Sequence, residues 1–124
     1  MYKPDRILSQ ISYEIMLLEA NNSSLESLYN TIKENYDNLI NLKDYQTKIL
    51  VDILLELIVA AMDKKINDVD LLIKSLADGV NALLLYHYKN EKNLENVINI
   101  NHIVNYLFNL LPNDAKKIFV LNNC

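Results

Sequence analysis

Ile49-Leu50-Val51-Asp52-Ile53-Leu54-Leu55-Glu56-Leu57-Ile58-Val59-Ala60-Ala61-Met62 is the stretch that decides the fold. Wound at 3.6 residues per turn, it is apolar over most of its circumference, and a helix of that kind is central, covered by neighbours on all sides. Two carboxylates interrupt the run, and it is shorter than the roughly 20 residues that a membrane span requires. The expectation is therefore a core helix over about 44–64, with Asp44 as its N-cap, inside a compact all-α bundle.

The flanking sequence supplies the helices that would cover it. Ile7, Leu8, Ile11, Ile15 and Leu18 form one helical stripe over about 5–20, with Pro4 where a helix start tolerates proline. Ser23 with Glu26 reads as a capping box, opening a helix over about 25–42 along Leu25, Leu28, Tyr29, Ile32, Tyr36 and Leu39. Neither Gly nor Pro separates it from the 44–64 helix, so a break and a kinked continuous helix both fit. Asn67-Asp68 caps a helix over about 69–89, carrying Val69, Leu72, Ile73, Leu76, Val80, Leu83 and Leu84 inward. Asn90 to Asn93 reads as a polar turn. A further helix runs over about 94–111 to Pro112, and Asn113-Asp114 caps a last short one through Ile118-Phe119-Val120-Leu121. No stretch sustains period-two alternation. The expected architecture is a single domain over residues 1–124 with five to six helices, consecutive ones antiparallel.

Composition removes most chemistries. Gly79 is the only glycine among 124 residues, and it lies within a helical stretch. Phosphate-cradling loops, dinucleotide turns and nucleophile elbows need glycine where the backbone turns to positive φ or closely approaches a ligand. The single Cys124 and the two histidines, His87 and His102, are too few and too dispersed for a structural metal site, which takes about four N/S ligands. No Ser or Cys stands beside a candidate base. Small helical ribonucleases of the HEPN family carry an Arg closely followed by a His, and the only arginine, Arg6, has none near it. The expectation is a protein that is not an enzyme and holds no cofactor or metal.

Charge points the same way. Sixteen acids against 12 bases give a net charge of −4, and the basic residues form no stripe of the kind that tracks phosphates. Direct binding of nucleic acid and insertion into a membrane are both disfavoured. Met1-Tyr2-Lys3-Pro4-Asp5-Arg6 lacks a signal-peptide core, and one cysteine suits a reducing cytoplasm. An apolar share of 51% exceeds the usual range; beyond the core, a protein partner or a homo-oligomer would account for part of it. Heavy use of Asn, Ile, Lys, Leu and Tyr suggests an A+T-rich genome such as that of a virus or mobile element.

Several residues stand out as candidate interaction or close-packing positions. Gly79 costs about 1 kcal/mol in a helix interior relative to Ala, so close approach of the 44–64 helix or of a second subunit is expected to compensate. Asn101, Asn105 and Asn109 recur at four-residue spacing, as a hydrogen-bonding face or a solvated one. Tyr86 and Tyr88 flank His87, and Tyr29, Tyr36 and Tyr45 either pack or anchor a partner.

Val69, Ile73, Leu76 and Val80, with Ala77-Asp78 and Asn81, resemble the BH3 motif of the Bcl-2 network; Asp78-Gly79-Val80-Asn81 is alternatively similar to the start of a BH1 region. Ala82-Leu83-Leu84 stands where BH1 carries Trp-Gly-Arg. The resemblance implies an apoptosis modulator. A nucleic-acid-binding helical regulator is a further alternative. The leading expectation is a small inhibitor, immunity or anti-defence protein that acts in the cytoplasm of the producing or infected cell by binding another protein.

Overall fold

The computed structural model describes residues 4–40, 45–88 and 94–123, with the side chains of 4, 5, 87, 88 and 94–98 left aside. Its described residues are helical, without strands, and pack together around one core cluster. The helices are α1 (Pro4–Glu19), α2 (Leu25–Glu34), α3 (Tyr36–Ile40), α4 (Tyr45–Met62), α5 (Val69–Tyr88), α6 (Leu94–Leu110) and α7 (Asn113–Asn123).

The described residues form seven helices where five to six were expected, and Asn35 is the reason. Its backbone N–H and its side-chain Nδ2 both donate to the Thr31 carbonyl, the latter at 2.8 Å. An Asn side chain competing for a backbone carbonyl ends a helix, so the expected 25–42 element divides into α2 and α3. The cap at the start of α2 is also shifted. Ser24, rather than Ser23, is the N-cap, and its Oγ accepts from the Ser27 N–H at 3.1 Å. Asp68 caps α5 as expected, accepting from Leu71 N–H at 3.0 Å. The proposed Asp44 cap and the Asn90–Asn93 turn lie outside the described residues.

With one glycine available, left-handed helix ends fall to other residues. Asn21 and Lys64 take φ values of 61° and 60°. In each case the next residue's N–H reaches back five positions, Asn22 to Leu17 O and Lys65 to Ala60 O, both at 2.8 Å. These are Schellman ends. Asn tolerates this conformation; Lys does not, at a cost of about 1–2 kcal/mol. Lys64→Gly is therefore expected to raise stability by up to about 1 kcal/mol after the glycine's extra unfolded-state entropy is deducted, readable as a shifted urea midpoint.

α4 is the central element. Leu50, Val51, Ile53, Leu54, Leu57 and Ile58 are buried along it, and it packs against α2, α3, α5, α6 and α7. The opposite side of the core is closed by α1 lying along α5 through Leu8, Ile11 and Ile15. No described helix is long and apolar enough to cross a membrane.

Candidate functional site

α7 organises the surface. Of its side chains only Phe119 is buried, seated against the core with its ring 5.8 Å from that of Phe108. Ile118, Val120 and Leu121 are 54%, 44% and 79% exposed. An eleven-residue helix whose apolar side chains mostly face water is unusual for a lone monomer, because contiguous exposed apolar surface marks interaction sites. Lys116, Lys117, Val120 and Leu121 line an open concavity of about 430 Å³ on this outer side.

The inner flank of α7 walls a second concavity, a polar cleft of about 310 Å³. Its floor is one face of α4, formed by Lys48, Asp52, Leu55, Glu56 and Val59, at helical spacings that bring them to the same side. Tyr29, Lys33 and Tyr36 line the side opposite Phe119, Asn122 and Asn123. Asp52 is the hub. Its Oδ1 accepts from the Tyr36 hydroxyl at 2.6 Å, and its Oδ2 pairs with Lys48 Nζ at 2.8 Å. Lys48 Nζ also donates to Asn123 Oδ1 at 3.1 Å, and the Tyr45 hydroxyl donates to the Asn123 carbonyl at 2.9 Å. The network ties the C-terminal end of α7 to α4. At its other end Lys65 pairs with Asp114 at 2.7 Å, holding that carboxyl below its ordinary range.

Burial raises the Tyr36 pKa, and the hydrogen bond and charge of Asp52 add to it, so the hydroxyl keeps its proton through the neutral range. Glu56 is raised from its ordinary 4.5 first by burial and then by the charge of Asp52, with Lys33 opposing. A carboxyl raised in the folded state binds its proton more tightly there than in the unfolded chain. Stability therefore falls as pH rises from the ordinary carboxyl value through the raised one, and the loss persists at neutral pH. Glu56→Gln is expected to raise thermal stability at neutral pH by a few tenths of a kcal/mol, the scale of a like-charge i, i+4 pair. The gain should disappear at about pH 3, where both states are protonated. Thermal unfolding of both proteins across this range reads it.

The structure separates the positions singled out from sequence instead of assembling them. Gly79 is buried in α5, and a Cβ there would stand 2.9 Å from Leu54 Cδ2 and 3.2 Å from Leu107 Cδ1. The close approach is real and lies within one chain, but it is to leucine side chains of α4 and α6, not to another backbone. Asp78 is half-buried and Asn81 exposed. Tyr86 is buried, and the Tyr88 side chain lies outside the described residues. Asn101, Asn105 and Asn109 are all exposed along α6. Of the resembled BH3 anchors, Leu76 and Val80 are each 1% exposed and so are spent in the chain's own core, whereas Val69 is 55% exposed. His102 is exposed, and no three His, Cys, Asp or Glu side chains converge among the described residues.

The polar cleft escaped sequence reading because Asp52 and Glu56 register there as interruptions of an apolar run. Their i, i+4 spacing was the available signal: two carboxylates on one face of a central helix must open toward something polar. Compared with known protein families, curated proteins and solved structures, the chain matches none.

Proposed function

We propose that the protein is a non-enzymatic binding module that takes up another polypeptide on the outer face of α7. The observation that carries this is the inverted exposure of that helix: Phe119 anchors it while Ile118, Val120 and Leu121 face solvent. Val120 and Leu121 share the outer concavity with Lys116 and Lys117, and covering an apolar side chain of this size contributes on the order of 1.5–3 kcal/mol when complete, which would favour association. The acidic net charge of −4 and the pairing of Lys65 with Asp114 count against a phosphate-tracking surface. In scale and composition the module fits the small inhibitors, immunity proteins and anti-defence proteins of viruses and mobile elements with A+T-rich genomes, acting in the cytoplasm of the producing or infected cell.

Val120→Asp combined with Leu121→Asp tests this. Both positions are exposed, so the fold should be unaffected by circular dichroism, while two carboxylates would be forced against an apolar partner surface. At native expression the wild-type protein should retain a polypeptide that the double variant recovers about ten-fold less, or worse, corresponding to at least 1.4 kcal/mol. Equal recovery by the two proteins would refute the role of α7.

A further inference from the structure

Resting on the assignment of α7 as a polypeptide-binding face, we infer that the polypeptide it takes is a second copy of this chain, received at the rim where α1 ends and α5 begins. That rim is lined by Glu19, Asp70, Ile73, Lys74 and Ala77 around a concavity of about 310 Å³. Met16 and Val69, at 62% and 55% exposure, are its neighbours in sequence along the same two helices. The rim thus carries an apolar pair with two carboxylates and one lysine. The α7 face carries the opposite arrangement, the apolar pair Val120 and Leu121 with Lys116 and Lys117.

The two faces are opposite in net charge: two lysines on α7 against Glu19, Asp70 and the single Lys74 at the rim. On α7 the two lysines precede Val120 and Leu121 by one helical turn; on α5, Asp70 precedes Ile73 and Ala77 by one to two turns. Apolar side chains can therefore meet apolar ones while the lysines meet Glu19 and Asp70. Neither Lys116 nor Lys117 forms an ion pair among the described residues; Lys116 instead rests over the Phe108 ring at 5.9 Å. In a chain of net charge −4, an adjacent pair of lysines with no ion pair among the described residues is the scarce feature, and it stands beside Leu121, the most exposed leucine among them. Each chain carries both halves of the contact. A closed pair would satisfy the contact twice, and an open arrangement would continue head to tail.

Sedimentation of the full chain over a range of concentrations tests the assignment. The expected mass rises reversibly above the 14.4 kDa of one chain, with a midpoint that moves to higher concentration in added salt. Lys116→Glu with Lys117→Glu should weaken self-association at least about ten-fold, because attraction at both contacts becomes repulsion. Glu19→Lys with Asp70→Lys should do the same. Mixing the two crippled proteins should restore assembly, since each then presents the charge that the other requires. A chain that stays at 14.4 kDa at every concentration overturns the inference, as does self-association that both charge reversals leave unchanged. If the chain is monomeric and the Val120→Asp, Leu121→Asp protein still loses a different polypeptide, only the second copy is wrong. If that variant loses nothing either, the binding role of α7 falls too.

Discussion

Gly79→Leu is expected to lower folding stability by on the order of 3 kcal/mol, the upper range for overfilling a packed core. The glycine sits where α5 crosses Leu54 of α4 and Leu107 of α6, themselves 3% and 0% exposed. A single added carbon already stands 2.9 Å from one leucine methyl and 3.2 Å from another. Those methyls are the far ends of side chains, and Leu54 borders a small internal void of about 10 Å³ together with Val51, Val80 and Leu83. Gly79→Ala can therefore be absorbed by a slight turn of Leu54. It should come out close to neutral, the roughly 1 kcal/mol of recovered helix propensity offsetting the strain. Leucine brings three more carbons than alanine into the same place, and the void cannot receive them. Urea unfolding of the three proteins separates these effects. A Leu variant as stable as the wild type would mean that the two neighbouring leucines can withdraw, and that the glycine is not a packing requirement.

Phe119→Ala is expected to release α7 while leaving α1 to α6 folded. Truncating a buried Phe costs about 3–5 kcal/mol, and the tilted pairing with Phe108 adds about 0.5–1.5 kcal/mol to what is lost. No other α7 side chain is buried to compensate. The remaining tethers are small or polar: half-buried Ala115 against the core, Lys116 over the Phe108 ring, Lys48 and Tyr45 to Asn123, and the exposed pair of Lys65 with Asp114. Solvated pairs of this kind contribute little. Amide exchange should show residues 113–123 losing protection while α4 and α5 keep theirs, a local rather than global opening. Retained protection in α7 would show that its docking rests on the polar network instead.

Hydrophobic periodicity made the bundle legible because it depends on neighbours three and four residues apart. The apolar run around Leu54 and Leu57 marked α4 as central, and the stripe from Leu8 to Ile15 marked the face of α1. The break at Asn35 was not legible, since its cause is a side chain choosing the Thr31 carbonyl over solvent, a competition that spacing does not reveal. The polar cleft was hidden for a different reason. Asp52 finds Tyr36 across 16 positions, and Lys48 finds Asn123 across 75; only folding brings them together. α7 was only partly legible. Ile118-Phe119-Val120-Leu121 is a continuous apolar run whose spacing does not say which side chain turns inward, and a helix at the edge of a bundle can turn only part of its circumference to the core. Phe119 takes that place, and the other three face out.

Amine cross-linking from Lys116 and Lys117 at native expression tests the central claim most directly, because both lysines border the apolar face of α7. The expected result is that these lysines join to a defined polypeptide, and that Val120→Asp with Leu121→Asp abolishes the links while the Lys65 to Asp114 end of the helix reacts as before. Single-ended adducts at Lys116 and Lys117 in both proteins, with no polypeptide attached, would contradict it.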